Sequence, residues 1–224
     1  MATTDINLKT VAQLYEIKKN QIKMAMRRGY QINPAEIKNV SSFDHFMRVY
    51  IPHAEKNQIT FRSALTNVYA NTDGRPSFVA YYADVDPKTT LLGKGELSGA
   101  IEYMRQYKIK DGIVITKKLL SPSASSTLES LLTFNIQIFL EEEMSYDPTE
   151  HFLVPTHIPL SDEEQTKFLN ENDITIDKLP IIPTKDIIAR YYGLRPGQIV
   201  RIERENMYES IILKSVAYKA IMDK

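Results

Sequence analysis

The sequence contains no cysteine and no tryptophan among its 224 residues. The lack of cysteine excludes disulfides, cysteine-ligated zinc and a cysteine nucleophile, and it fits an intracellular compartment. The formal net charge is zero, because 28 basic residues balance 28 acidic residues. Bulk attraction to nucleic acid or to a membrane is therefore not expected, and any basic surface must be local.

Long apolar runs are also absent. The longest runs are short, such as residues 78–83, whereas a membrane span needs about 20 consecutive apolar residues. The opening stretch, MATTDINLKTVAQLYE, has no continuous apolar region, so it does not predict a signal peptide. We therefore expect no membrane partner.

Motifs of common catalytic sites are missing: GxSxG, SxxK, HExxH and Walker-type loops do not occur. The glycine-rich stretch at 93–99 has GxGxxxG spacing and predicts a plain loop. Two Glu-x-Lys triplets, 16–18 and 36–38, leave a metal-dependent nuclease as an alternative, although both lie in predicted helices. The histidines lack metal-ligand spacing. No catalytic residue, metal or cofactor is predicted.

The first 150 residues predict helices followed by a small mixed sheet flanked by helices. A first helix covers 8–28; it has six basic residues and one acidic residue, so its exposed side should be basic and solvated. Asn33-Pro34 and Ser42 are typical helix starts. Strands are predicted over 59–70, 77–84, 112–116 and 135–141, and further helices over 96–106 and 121–132.

The acidic run at 141–143, followed by Tyr146-Asp147-Pro148, predicts a domain boundary. The two predicted domains are 1–148 and 149–224. The second should begin with an extended stretch at 151–155. A capping box of Ser161 and Glu164 then begins a helix that ends near Asn170. Further predicted elements are a helix over 185–192 capped by Thr184, a type II turn at 195–198, and a hairpin of 199–205 and 208–216.

Two features suit binding to a macromolecule. Lys117 and Lys118 precede a predicted helix start at Ser121, where amides and lysines can contact phosphate; an ordinary solvated turn is equally compatible. The segment 189–204 combines tyrosines with four arginines, which are frequent interface anchors. Acidic residues are interspersed among these arginines, which favours a protein partner over DNA.

The motifs of the C-terminal third occur in an order that resembles a known family. They are HFLVPTH at 151–157, the capped helix, LPII at 179–182 and ARYYGLRPGQIVRI at 189–202. This set is similar to the assembly domain of the fifth subunit shared by eukaryotic RNA polymerases I, II and III, a domain that is a separate small subunit in the archaeal RNA polymerase. More loosely, RGYQI at 28–32, GIVI at 112–115 and SPSA at 121–124 resemble the N-terminal jaw domain of that family.

The resemblance implies a mixed α+β fold. The N-terminal jaw domain would combine helices with a small mixed sheet of nuclease-like shape, and a small α/β assembly domain would follow. The implied function is that of a non-catalytic subunit of a DNA-directed RNA polymerase, without cofactor or small-molecule substrate. It would be nuclear, or located in the virion or the cytoplasm of an infected cell if the polymerase is viral.

The resemblance also assigns candidate site residues. The residues facing downstream duplex DNA, without reading its sequence, would be Lys117, Lys118, Ser121, Pro122 and Ser123. The residues contacting the largest polymerase subunit would be Arg190, Tyr191, Tyr192, Arg195, Pro196, Gly197, Val200 and Arg201. Other polymerase subunits are further expected partners.

The sequence departs from the family pattern after residue 203. Arg204-Glu205-Asn206-Met207-Tyr208 replaces the Ser-x-Thr-x-Gly-Arg-Tyr of the family, and the chain continues through Lys219 to Lys224. A stand-alone DNA-binding transcription factor and the metal-dependent nuclease remain the alternative functions.

Overall fold

The computed structural model describes residues 7–71, 76–86, 88–131, 133–208 and 211–223; of residues 76, 205–208 and 211–213 it describes only the backbone. The chain divides into two compact units, Met1–Tyr146 and Asp147–Lys224. This division falls two residues before the boundary expected from the acidic run. Within the described ranges, no helix is both long and apolar enough to cross a membrane.

The first unit begins with four helices: α1 (Leu8–Arg27), α2 (Pro34–Asn39), α3 (Phe43–Asn57) and α4 (Phe61–Ala64). Each begins after a residue whose side-chain oxygen accepts a first-turn amide hydrogen, and the predicted starts at Asn33 and Ser42 are confirmed. The strand predicted over 59–70 is wrong in its first half. Thr60 caps α4, and the strand β1 covers only Asn67–Ala70.

A four-stranded mixed sheet forms the rest of this unit. The strand order is β1-β2-β3-β4, with β2 at Pro76–Tyr82, β3 at Asp111–Thr116 and β4 at Asn135–Leu140. β1 is antiparallel to β2, and the other two pairs are parallel. The mixed sheet predicted from the sequence is therefore confirmed.

Two helices connect the parallel strands. α5 (Lys94–Gln106) lies between β2 and β3, and α6 (Pro122–Ser130) lies between β3 and β4. Leu97, Ile101 and Met104 of α5 pack into one core with Val79 and Val114 of the sheet. The plain loop predicted at 93–99 is wrong, because Gly93 is the N-cap of α5 and the following residues are helical. The helix predicted over 121–132 ends at Ser130, and residue 132 lies outside the described residues.

The second, smaller unit contains another four-stranded mixed sheet and two α-helices. The strand order is β5-β7-β8-β6, with β5 at Thr156–Pro159, β6 at Ile181–Pro183, β7 at Ile199–Tyr208 and β8 at Ile211–Met222. α7 (Asp162–Asn172) begins at the predicted capping box, and α8 (Ile187–Tyr192) precedes β7. Gly193, at a φ of 68°, ends α8 as a left-handed C-cap.

Three predictions for this unit are wrong in detail. Residues 151–155 turn instead of extending, since the amide of Val154 donates to the carbonyl of His151 at 2.8 Å. α8 is capped by Asp186, whose Oδ1 accepts from the amide of Ile188 at 2.8 Å, and not by Thr184. The first hairpin strand ends at Tyr208 and not at 205, and the second covers Ile211–Met222 and not 208–216.

The β7–β8 hairpin is longer than the sheet that supports it. β5 pairs only with Val200–Glu203, and β6 pairs only with Ala220–Met222. The backbone of 204–208 and 211–215 therefore forms a two-stranded extension among the described residues, at the position where the sequence departs from the family pattern.

Candidate nucleic-acid and partner interfaces

The predicted DNA-facing residues follow β3, where the carboxyl ends of three parallel strands meet at one edge of the first sheet. In open α/β sheets this edge is the usual place for a binding site. Thr116 ends β3, and its buried Oγ1 accepts a hydrogen bond from the amide of Lys118 at 3.2 Å. This bond fixes the turn that carries Lys117 outward, and the Lys117 side chain is exposed.

The Lys118 side chain makes hydrogen bonds within the protein. Its Nζ donates to the carbonyl oxygen of Asp86 at 2.7 Å and to the carbonyl oxygen of Thr89. The Oγ1 of Thr89 lies 3.3 Å from the same amine. Lys118 thus joins the turn after β3 to the described residues 84–86 and 88–93, which are together called loop 84–93 below.

Burial and the charge of Arg62 both act on the Lys117 amine. Partial burial lowers the pKa of the Lys117 amine, and the positive charge of Arg62 lowers that pKa further. Arg62 forms an ion pair with Glu141, which directly follows β4. Asp84, after β2, opposes the lowering of the Arg62 pKa that burial causes. The strand ends therefore gather charges of both signs, with Lys117 exposed among them.

The other three DNA-facing candidates form the start of α6. Ser121 is its N-cap, with Oγ accepting from the amide of Ala124 at 3.2 Å, and it shares a hydrogen bond with Ser123 at 3.1 Å. Pro122 and Ser123 are exposed, and Ser121 is half-buried. All five candidates therefore lie in one continuous stretch of chain, the turn after β3 and the start of α6, but their side chains differ in exposure and hydrogen bonding.

The residues predicted to contact a partner include surface residues and core residues. Arg195, Pro196 and Gly197 form an exposed turn, in which Gly197 has a φ of 87° and Gln198 donates to the carbonyl of Arg195 at 3.2 Å. The predicted type II turn is consistent with this positive φ. Half-buried members of the set are Arg190, Tyr192 and Arg201.

Tyr191 and Val200 lie in the core of the second unit. Tyr191 is 1% exposed and Val200 is fully buried. These two side chains are therefore placed to support the surface from beneath and do not reach a partner themselves.

An exposed apolar pair, Phe152 and Leu153, was missed by the sequence reasoning. Their side chains are 88% and 71% exposed. The short 3-10 turn just before them, Pro148–Glu150, packs against α8, which carries Arg190 and Tyr192. The apolar run in HFLVPTH is visible in the sequence, but the turn that exposes it is not.

A buried ion pair in the first unit was also missed. Lys18 is fully buried, and its Nζ lies 2.9 Å from Oε1 of Glu36. The same amine donates to Gln21 at 2.9 Å and to the carbonyl of Leu65 at 3.0 Å, and the hydroxyl of Tyr69 donates to Glu36 at 2.5 Å. Burial lowers the pKa of Lys18, and Glu36 opposes this effect.

This ion pair corrects two expectations. Lys18 does not belong to a solvated basic face, because it lies on the side of α1 that faces the core. The two carboxylates of the nuclease alternative belong to different ion pairs. Glu36 pairs with the buried Lys18, whereas Glu16 pairs with Lys19 at the surface. In the part of the chain that the structure describes, no group of three or more histidine or acidic residues is placed to hold a metal ion.

Comparison with known families finds a match to the C-terminal part of the chain. Residues 146–221 match the family model described as RNA polymerase Rpb5, C-terminal domain. This range nearly coincides with the second compact unit, Asp147–Lys224. The second unit is thus similar to this polymerase subunit domain, the one that the order of the motifs resembles.

Similarity to curated proteins extends over most of the chain. The DNA-directed RNA polymerases I, II, and III subunit RPABC1 of Caenorhabditis briggsae is 28% identical, covering 86% of this chain and 89% of that protein. The DNA-directed RNA polymerase V subunit 5A of Arabidopsis thaliana is 27% identical, covering 88% and 84%. The Dictyostelium discoideum rpabc1 subunit is 25% identical, covering 80% and 91%. These findings support an Rpb5-type subunit of RNA polymerase.

Proposed function

We propose that this chain is a non-catalytic subunit of a nuclear DNA-directed RNA polymerase. Its second unit would join the largest polymerase subunit, and its first unit would lie along downstream duplex DNA. The observation that carries the proposal is the family match over residues 146–221, together with similarity to polymerase subunits over more than four-fifths of the chain. A viral polymerase would place the same subunit in the virion or in the cytoplasm of the infected cell.

The charge distribution supports this division of roles. Residues 1–146 contain 18 basic and 15 acidic residues, whereas residues 147–224 contain 10 basic and 13 acidic residues. The zero net charge thus combines a slightly basic unit with a slightly acidic unit. A weak basic excess suits non-specific phosphate contact made within a larger complex, and it is too small for tight DNA binding by a stand-alone factor.

The assembly surface we propose centres on the exposed turn at 195–197 and includes Phe152 and Leu153. Isolated exposed apolar side chains are ordinary, but two adjacent large ones that follow a turn packed against α8 resemble an interface anchor. Tyr191 and Val200 hold this surface in shape from the core.

Affinity purification of the tagged chain, followed by mass spectrometry, tests the assembly role. We expect the large polymerase subunits in stoichiometric amounts. The double variant Phe152→Ser, Leu153→Ser and the single variant Arg195→Glu should reduce their recovery several-fold. Lys167→Glu is a matched control on the same unit, since Lys167 is well exposed and lies in α7.

Recovery of the chain without polymerase subunits would overturn the assembly role. Tight DNA binding by that free chain would then favour the stand-alone transcription factor. Cleavage of plasmid DNA with magnesium, abolished by Glu16 and Glu36 substitution, would favour the nuclease.

Salt dependence tests the DNA role. In the assembled polymerase, Lys117→Met should lower the salt concentration that halves transcription, because one phosphate contact is lost. An unchanged salt response would remove Lys117 from the DNA-facing surface while leaving the assembly role intact.

A further inference from the structure

We infer that the DNA-facing surface consists of two loops, and that Lys118 positions them instead of contacting phosphate. The first loop carries Lys117, and the second is loop 84–93, which carries the exposed Lys88. This inference rests on the proposed function, because it specifies which side chains of that surface meet the DNA backbone.

The hydrogen bonds that Lys118 makes to loop 84–93 are enough to occupy its donors. A lysine ammonium has three hydrogen-bond donors and no acceptor. Three acceptors of loop 84–93 surround the Nζ of Lys118: the carbonyl oxygens of Asp86 and Thr89, and the hydroxyl of Thr89. A phosphate contact by this amine would require breaking bonds that hold the loop.

Backbone bonds join the same two loops a few residues further on. Leu92 and Leu120 form a parallel bridge. The amide of Leu92 donates to the carbonyl of Leu119 at 2.8 Å, and the amide of Ser121 donates to the carbonyl of Leu92 at 2.9 Å. The two loops are thus fixed to each other at both ends, so that they present one surface.

Loop 84–93 offers polar and basic groups on this surface. Lys88, Thr89 and Thr90 are exposed. Two exposed carboxylates lie on the same loop: Asp86 accepts the amide of Lys88 at 2.8 Å, and the charge of Asp84 opposes the lowering of the Arg62 pKa by burial. Lys88 and Lys117 are the exposed lysines of these two loops, so they are the cations that we expect a DNA backbone to meet, and no base reading is expected from such contacts.

Four full-length variants distinguish lysines that contact phosphate from a lysine that positions the two loops. They are Lys117→Met, Lys88→Met, Lys118→Met and Lys118→Arg. Hydrogen exchange in the DNA-free protein should rise at Leu92 and Ser121 only in Lys118→Met. Lys118→Arg should keep these amides protected, because its guanidinium can still donate to the carbonyls. In the reconstituted polymerase, Lys117→Met and Lys88→Met should each reduce the slope of log affinity for DNA against log salt by about one.

The outcomes distinguish this inference from the proposed function. If Lys118→Met reduces the salt slope by about one and leaves exchange unchanged, Lys118 is a phosphate contact and the inference is overturned, although the DNA role stands. If Lys117→Met changes the slope but Lys88→Met does not, the second loop is not part of the surface. If neither changes the slope, the DNA role itself fails, even when Lys118→Met opens the loops.

Discussion

At the scale of single residues, Lys18 shows how a charge that looks solvated can be structural. It lies on α1 between Ile17 and Gln21, which are also buried. A buried ammonium is stable only with a compensating anion and hydrogen bonds. Glu36, Gln21 and the carbonyl of Leu65 supply these, so the pair links α1 to α2 and to the start of the sheet.

Glu36→Gln should therefore lower the free energy of unfolding by about 3–5 kcal/mol, because Lys18 would remain buried without an anion. Urea unfolding followed by circular dichroism measures this change. The matched control is Glu16→Gln, which removes the partner of Lys19 in an exposed pair and should cost at most about 1 kcal/mol.

Adding Lys18→Met to Glu36→Gln should recover part of the loss, because the unpaired buried charge is removed. Equal costs for Glu36→Gln and Glu16→Gln would show that the Lys18–Glu36 pair is not buried as described.

At the scale of elements, side-chain caps decide where helices begin. Thr60 begins α4 inside a stretch whose β-branched and aromatic residues predict a strand. Asp186 begins α8 two residues after the predicted cap, Thr184, whose hydroxyl instead donates to Asp223 at 2.6 Å. A local cap thus outweighs strand propensity at Thr60, whereas at Thr184 a hydrogen bond to a residue distant in the sequence engages the hydroxyl that was predicted to cap the helix.

Asp186→Ala should cost about 1 kcal/mol of stability in the second unit, because the amides of Ile188 and Ala189 lose their acceptor. Thr184→Ala is the matched control and should cost only a few tenths of that amount. Chemical unfolding of both variants measures the difference. A larger cost for Thr184→Ala would place the helix start where the sequence predicted it.

At the scale of the whole molecule, the first unit concentrates buried ionisable groups. Burial, together with the charge of Glu36, raises the pKa of Tyr50, Tyr69 and Tyr82 above the ordinary tyrosine value. The hydroxyl of Tyr82 has no hydrogen-bond partner among the described residues. Ionising any of these hydroxyls in the fold is therefore unfavourable.

These raised pKa values predict a loss of stability at alkaline pH. Below the unfolded pKa of 10.0 the tyrosines are protonated in both states. Above it the unfolded chain releases protons that the fold retains, so unfolding becomes more favourable as pH rises. Lys18, whose pKa is lowered, acts in the opposite sense, but only up to its ordinary value of 10.5.

The urea midpoint should therefore fall between about pH 10.5 and about pH 11.5. Tyr82→Phe should reduce this fall, since one ionisable buried group is gone. At pH 8 the same variant should cost less than about 1 kcal/mol, because no hydrogen bond to the hydroxyl is lost. An identical alkaline loss in both proteins would contradict the role assigned to Tyr82.

The sequence alone determined the features that depend on near neighbours along the chain. Helix starts at Asn33, Ser42 and Ser161, the C-cap at Gly193 and the positive φ at Gly197 follow from residues within a few positions. The order of motifs after residue 150 was enough to indicate the Rpb5-type C-terminal domain, and the family match bears this out.

Only the tertiary structure decided which charged and apolar side chains face inward. Lys18 meets Glu36 across two helices, Lys118 meets carbonyl groups about thirty positions away, and Tyr191 enters the core while Phe152 remains outside. These outcomes depend on contacts between residues distant in the sequence. Residue type and spacing do not encode such contacts locally, because burial and hydrogen-bond partners are set by how the elements pack.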